Sequence, residues 1–117
     1  MLSGLWHRMS RTRGVLQIEG GPEGGKEIRV RRLPLTIGRG DEADLPISDR
    51  WVSRLHCEIF ERNGGLALRD LGSRHGTQVN GELVAETPLW PGDKICVGLT
   101  TLVARYELPQ RESNLLG

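Results

Sequence analysis

The chain has 117 residues, including 16 Lys and Arg, 15 Asp and Glu, 16 Gly and 6 Pro. This length allows one domain with a buried core and excludes two domains of ordinary size. The formal net charge of +1 excludes a general binder of polyanions, so any anion specificity has to come from local placement of charged side chains. The many turn-forming residues favour short strands over a helical bundle.

The first 13 residues (MLSGLWHRMSRTR) are polar and show no strand pattern, which predicts a flexible N-terminal tail. They lack the apolar middle segment of a signal peptide, and no apolar run in the chain is long enough to span a membrane. Arg8, Arg11 and Arg13 are expected to be solvated rather than to form a nucleic-acid-binding arm. We therefore expect a cytoplasmic protein with no membrane insertion and no nucleic-acid partner.

The first half of the chain predicts several short strands separated by turns. Residues 14–20 (GVLQIEG) and 26–32 (KEIRVRR) flank a Gly/Pro turn, and Ile28 and Val30 alternate with charges, which predicts a hairpin. Residues 33–40 (LPLTIGRG) predict a strand that ends at Gly38. An Asp- and Pro-rich loop follows, with a small strand near residues 45–47.

The second half predicts the clearest hairpins. Residues 56–60 and 66–71 flank an Asn-Gly-Gly turn, and Asn80-Gly81 lies between two short extended segments. A Pro-Gly-Asp turn, a further strand and the segment TTLVARYEL complete a domain over residues 14–108, with a flexible tail over 109–117. No window shows a sustained helical period of apolar residues. Short strands with turns about every 8–12 residues are typical of an all-β sandwich or barrel.

The two cysteines, Cys57 and Cys96, are too few for a disulfide scaffold. No CxxC pair or Cys/His cluster has the spacing of a zinc site. We therefore expect two reduced cysteines on strands, no metal and no cofactor.

Three segments become informative when they are considered together. They are GR at residues 38–39, SRLH at residues 53–56 and SRHGTQVNG at residues 73–81. In this order and spacing the chain resembles the forkhead-associated (FHA) domain family, whose pattern is a strand-ending GR, then S-x-x-H, then S-x-N-G-T-x-V-N-G. The resemblance covers residues 14 to 108, which is nearly the whole chain.

The resemblance implies an eleven-stranded β-sandwich (SMAD/FHA-like) whose loops at one end bind phosphothreonine peptides. The expected partner is a phosphothreonine-containing protein, either a Ser/Thr kinase or its substrate. The residues expected to bind the phosphopeptide are Arg39, Ser53, Arg54, Arg74 and His75. The residues expected to support the binding loops are Gly38, His56, Gly76, Thr77, Asn80 and Gly81.

The chemistry of the ligand agrees with these residue types. A phosphothreonine carries roughly −1.5 to −2 charges and three acceptor oxygens. Arg39, held where a strand becomes a loop, would direct its planar fork of donors at phosphate oxygens. Ser53 would supply a compact hydroxyl donor, and Arg54 and Arg74 would add positive charge.

His75 is a departure from the family pattern, which has Asn at this position. In the family that Asn holds the peptide main chain beyond the phosphothreonine. Neutral imidazole also offers one donor and one acceptor, but at greater reach and with a proton that titrates at about pH 6.5. A shifted peptide, weaker binding, a pH-sensitive contact and a partner that does not need this bond all remain open.

The same residues bear on several other functions. Ser53 and His56 as nucleophile and base would face opposite sides of a strand, so we expect no enzyme activity. A phosphate-independent FHA scaffold that binds partners through a sheet face is the main alternative. Trp51 is either a loop anchor or a contact for the peptide flank. Phosphorylated Thr12 is a further hypothesis, in which the N-terminal tail folds back into the pocket.

Overall fold

The computed structural model of the protein describes residues 14–21 and 23–106. This part of the chain forms eleven strands and no helix. The strands are β1 (Gly14–Gly20), β2 (Glu27–Arg29), β3 (Leu35–Gly38), β4 (Leu45–Pro46), β5 (Cys57–Arg62), β6 (Gly65–Asp70), β7 (Thr77–Val79), β8 (Glu82–Val84), β9 (Glu86–Leu89), β10 (Lys94–Val97) and β11 (Thr100–Tyr106). Thr12, both expected tails and the domain boundary at residue 108 lie outside the described residues.

The strands form two sheets that share one core. The six-stranded sheet has the order β2-β1-β11-β10-β7-β8, and the five-stranded sheet has the order β4-β3-β5-β6-β9. Neighbouring strands are antiparallel except β3 and β4, which run parallel. The prediction of an all-β, eleven-stranded sandwich is therefore confirmed.

The core lies between the sheets because side chains alternate between the two faces of each strand. Leu16 and Ile18 on β1 are buried, as are Cys57 and Ile59 on β5, and they belong to a single apolar cluster. Removing this apolar surface from water is the main favourable term that holds the two sheets together.

Two hairpins turn on Asn-Gly pairs. The φ angles are 54° at Asn63 and 78° at Gly64, and 52° at Asn80 and 86° at Gly81. Positive φ at both central positions is what the type I′ hairpin turn requires. The predicted hairpins between β5 and β6 and between β7 and β8 are confirmed.

Strand β3 positions the first functional loop because its pairing with the chain before β5 continues past Gly38. The Arg39 N–H donates to the Ser53 carbonyl at 2.9 Å, and the Gly40 N–H donates to the Arg54 carbonyl at 3.0 Å. A Cβ on Gly38 would lie 2.1 Å from the Arg54 backbone oxygen, so this close approach requires glycine. The loop after β3 and the loop before β5 are thereby held side by side.

Cys57 is buried on β5 and Cys96 is partly buried on β10, and both are free. Burial raises the pKa of the Cys57 thiol to about 12. The described part of the chain contains no helix long and apolar enough to cross a membrane. Residues 14–21 and 23–106 also contain no group of three or more His, Cys, Asp or Glu residues placed to hold a metal ion.

Candidate functional site

Three loops meet at one end of the sandwich. We call residues 39–44 the first loop, residues 47–56 the second loop and residues 71–76 the third loop. The second and third loops, with Arg39 of the first, surround an open pocket of about 550 Å³. The residues that line the pocket are Arg39, Arg50, Trp51, Val52, Ser53, Arg54, Arg74 and His75. All five residues expected to bind the phosphopeptide are therefore brought together.

Arg39 is fixed by its backbone and by one side-chain nitrogen. Its N–H donates to the Ser53 carbonyl at 2.9 Å, and its Nε donates to the Val52 carbonyl at 3.0 Å. These two bonds hold the stem of the side chain across the second loop. The two terminal nitrogens of the guanidinium remain available to an oxyanion in the pocket.

Ser53 presents a hydroxyl hydrogen to the pocket. Its Oγ accepts a hydrogen bond from the Arg74 N–H at 2.9 Å. A serine hydroxyl that accepts from a backbone N–H still has its own hydrogen to donate. Ser53 therefore joins the second and third loops and offers one neutral donor beside the guanidinium of Arg39.

His56 connects the same two loops from the interior. Its side chain is fully buried; its Nδ1 accepts from the Ser53 N–H at 3.1 Å, and its Nε2 lies 2.8 Å from the Gly76 carbonyl. Because Nδ1 accepts, we assign the hydrogen to Nε2, which donates to Gly76.

The arrangement of Ser53 and His56 does not support a nucleophile and its base. Both residues lie in the second loop rather than on a strand, so the expected reason, opposite strand faces, was wrong. Instead, both ring nitrogens of His56 are already hydrogen-bonded to backbone groups. The imidazole has no free nitrogen to accept the Ser53 hydroxyl proton.

Asp70, at the end of β6, organises the third loop. Its Oδ1 accepts from the Ser73 hydroxyl at 2.6 Å and from the Thr77 hydroxyl at 2.7 Å. Its Oδ2 accepts from the N–H groups of Gly72 and Ser73, both at 2.9 Å. Burial alone would raise the pKa of Asp70, but these hydrogen bonds outweigh it and hold the pKa below its ordinary value. Asp70 was not among the residues expected from the sequence. Its spacing to Ser73 nevertheless suits a turn in which an Asp side chain bonds to the backbone two or three residues further on.

Asp49 is a buried carboxylate that supports the pocket. Its Oδ1 accepts from the Trp51 N–H at 2.9 Å. Its Oδ2 accepts from the Leu99 N–H at 2.7 Å and from the Thr100 hydroxyl at 2.8 Å. Burial raises its pKa, but the hydrogen bonds outweigh this and lower the pKa overall. Asp49 therefore fixes the second loop to the turn between β10 and β11, a contact that no local pattern indicates.

Trp51 and His75 form one side of the pocket. Their rings meet edge to face with centroids 5.4 Å apart, and the Arg50 guanidinium lies 5.2 Å from the centre of the Trp51 ring. The Trp51 side chain is 42% exposed. Trp51 is thus a pocket wall as well as a residue that steadies Arg50.

Arg54 and Arg74 differ in their surroundings. The Arg54 Nη2 donates to both oxygens of Glu42 at 3.1 and 3.2 Å, so part of its positive charge is already balanced by that carboxylate. Among the described residues, Arg74 has no carboxylate within 4.0 Å. Although the whole chain has a formal net charge of +1, the pocket is strongly cationic.

Gly76, Thr77, Asn80 and Gly81 were expected to support the binding loops. Gly76, with φ of 88°, accepts from His56, and Thr77 bonds to Asp70, so both contact the loop system. The Asn80 side chain instead donates to Asp93 and accepts from the Lys94 N–H. Asn80 and Gly81 form the turn of the β7–β8 hairpin, and Asn80 connects this hairpin to the turn between β9 and β10.

The fold and the pocket define a β-sandwich that carries a cationic loop site at one end. The model of the FHA domain family matches residues 35–98. This is more than half of the chain, which therefore belongs to the FHA domain family.

Individual relatives agree with this assignment. The oxoglutarate dehydrogenase inhibitor of Corynebacterium diphtheriae is 36% identical over 90 residues, which cover 77% of this chain and 63% of that protein. The chain thus spans under two thirds of the length of this relative. A solved structure from a study of phosphothreonine-dependent FHA domain interactions is 34% identical with a TM-score of 0.75, covering 85% of this chain and 100% of that one. The FhaA FHA domain, solved in complex with the intracellular domain of Rv3910, is 35% identical with a TM-score of 0.71. The match covers 79% of this chain and 99% of that chain.

Proposed function

We propose that this domain binds a phosphothreonine of a partner protein in the pocket between the three loops. The observation that carries the proposal is the convergence of Arg39 and Ser53, which are joined by a backbone hydrogen bond and both line the pocket. A phosphate ester needs several fixed donors, some of them cationic. The two similar solved structures, one of which concerns phosphothreonine-dependent interactions, support the same function.

Each pocket residue has a role in this proposal. Arg39 donates its terminal nitrogens to the phosphate, and Ser53 donates its hydroxyl hydrogen. Arg54 contributes the donors that are not bonded to Glu42, and Arg74 contributes charge from the third loop. His75, at the rim, contacts the peptide main chain beside the phosphothreonine in place of the usual Asn.

The partner in this proposal is a Ser/Thr kinase or one of its substrates, since such proteins carry phosphothreonine. The domain has no catalytic role of its own and acts by holding the two proteins together. We place it in the cytoplasm, and the free cysteines are in keeping with a reducing compartment.

A peptide screen tests the function directly. A degenerate peptide pool with a central phosphothreonine is compared with matched phosphoserine and unmodified pools. Charge-assisted hydrogen bonds contribute about 1.5–3 kcal/mol each, so Arg39→Ala is expected to lower affinity for the phosphothreonine pool about ten- to a hundredfold. Arg31→Ala is the matched control, because it removes the same charge from an exposed residue outside the pocket.

The same measurements distinguish the proposed function from a phosphate-independent scaffold. A scaffold that binds through a sheet face would bind its partner equally well in the wild-type form and as the Arg39→Ala variant, and without regard to phosphorylation. Equal affinity of the wild-type domain for phosphorylated and unmodified pools would contradict phosphothreonine binding. Circular dichroism of the Arg39→Ala variant shows whether any loss of binding occurs in a folded domain.

A further inference from the structure

The pocket contains more positive charge than one phosphate requires. Four arginines line it, at positions 39, 50, 54 and 74, and only Arg54 is paired with a carboxylate among the described residues. A phosphothreonine side chain carries roughly −1.5 to −2 charges. Arg39 and Arg74, which both bond to Ser53 through their backbone N–H groups, already match this charge. Arg50 is therefore left without an anionic partner when the phosphate is bound.

Arg50 is held in a defined position. Its guanidinium lies 5.2 Å from the centre of the Trp51 ring, within the range of a cation–π contact. The Trp51 ring packs edge to face with the His75 ring, and the Trp51 backbone is held by the bond from its N–H to the buried carboxylate of Asp49. Arginine stacked on an aromatic ring keeps its planar fork of donors free for a carboxylate or phosphate.

The size of the pocket leaves room for a second group. The space is about 550 Å³, whereas a water molecule takes roughly 30 Å³ and a phosphate group only a few times as much. Arg39 Nε is bonded to the Val52 carbonyl, and Arg50 and Trp51 come just before Val52 in the same loop. Arg50 thus lines the same pocket as Arg39 and Ser53 and lies two residues before the carbonyl that holds Arg39.

We propose that the ligand carries an acidic side chain beside the phosphothreonine and that Arg50 is the residue that recognises it. The inference rests on the proposed function and narrows its ligand class to phosphothreonine peptides with an Asp, a Glu or a second phosphorylated residue close to the phosphothreonine. Trp51 is the positioning residue for this contact, because it supports the Arg50 guanidinium.

Peptide pools with a fixed neighbour test the inference. Each pool has a central phosphothreonine and, at one flanking position at a time, either Asp and Glu or the uncharged Asn and Gln. At the flanking position that Arg50 contacts, the wild-type domain is expected to bind the acidic pool about three- to fivefold more tightly than the uncharged pool. This is the size of effect expected for a partly exposed ion pair. The Arg50→Ala variant is expected to bind the acidic and the uncharged pool with equal affinity.

Two control variants separate the specific contact from general charge. Arg31→Ala removes the same charge outside the pocket and should keep the acidic preference. Arg50→Lys keeps the charge but loses the planar fork, so it should keep only part of the preference. Raising the salt concentration should reduce the preference in the wild-type domain.

The possible outcomes are distinct. An acidic preference that persists in Arg50→Ala, or that is absent at every flanking position in the wild-type domain, would overturn the inference while phosphothreonine binding stands. Equal reduction in Arg31→Ala and Arg50→Ala would overturn it too, because general charge would then explain the preference. Failure of the wild-type domain to prefer phosphorylated over unmodified pools would remove the proposed function and this inference with it.

Discussion

The two histidines of the pocket region, His56 and His75, have different roles because one is buried and the other is exposed. His56 is fully buried and hydrogen-bonded through both ring nitrogens to backbone groups of the second and third loops. His75 is exposed, and its ring packs edge to face with the Trp51 ring at the pocket wall. The first residue supports the loops from inside, and the second faces whatever enters the pocket.

Replacing each histidine with alanine is therefore expected to have different effects on stability. His56→Ala leaves a cavity and two backbone groups without their partner, which should lower the free energy of unfolding by about 2–4 kcal/mol. His75→Ala should change it by less than about 0.5 kcal/mol, as for most exposed positions. Urea unfolding followed by tryptophan fluorescence measures both. Equal losses in the two variants would contradict the assigned role of His56.

At the scale of the structural element, the third loop depends on one carboxylate. Asp70 accepts four hydrogen bonds from the loop and from Thr77 at the start of β7. Asp49 plays a similar part for the second loop. Both carboxylates have pKa values below the ordinary range in the folded protein, so both stabilise the fold in their charged form.

The lowered pKa of Asp70 predicts how stability depends on pH. A carboxyl with a depressed folded-state pKa stabilises the fold above its unfolded-state pKa, about 3.9, and loses that contribution as the pH falls through the folded-state pKa. The free energy of unfolding should therefore decrease as the pH falls from about 5 to about 2. Asp70→Asn should lower stability at pH 7 and flatten this decrease. Asp41→Asn, at an exposed residue of the first loop, is the control and should leave the curve unchanged. Parallel curves for wild type and Asp70→Asn would contradict the prediction.

The elements were largely predictable from the sequence, because their signals are local. Asn63-Gly64 and Asn80-Gly81 indicate hairpin turns by themselves, since only a few residue types accept positive φ. The grouping of Arg39, Ser53, Arg54, Arg74 and His75 was expected only because three spaced motifs resemble the FHA pattern. Contacts such as that between Asp49 and Thr100, 51 residues apart, could not be predicted because they depend on how the two sheets pack. The pairing of Glu42 with Arg54 could not be predicted either, because it depends on how the first and second loops lie against each other.

At the scale of the whole molecule, charge is distributed unevenly. The formal net charge is only +1, yet four arginines line one open pocket at the end of the sandwich. A cluster of like charges on a nearly neutral protein attracts an oppositely charged ligand toward that end over about a Debye length, roughly 10 Å at 0.1 M salt. Association with a phosphopeptide should therefore depend on the local cluster rather than on net charge.

Association kinetics with a phosphothreonine peptide test this distribution. Raising the salt concentration from about 0.05 M to about 0.5 M should lower the association rate about five- to tenfold and change the dissociation rate less, because screening weakens the long-range attraction. The double variant Arg29→Ala/Arg31→Ala removes two positive charges from exposed residues outside the pocket. Its association rate should stay within about twofold of the wild-type rate, since the local field at the pocket is retained. A loss as large as that caused by salt would show that net charge, and not the arginine cluster, guides the ligand to the domain.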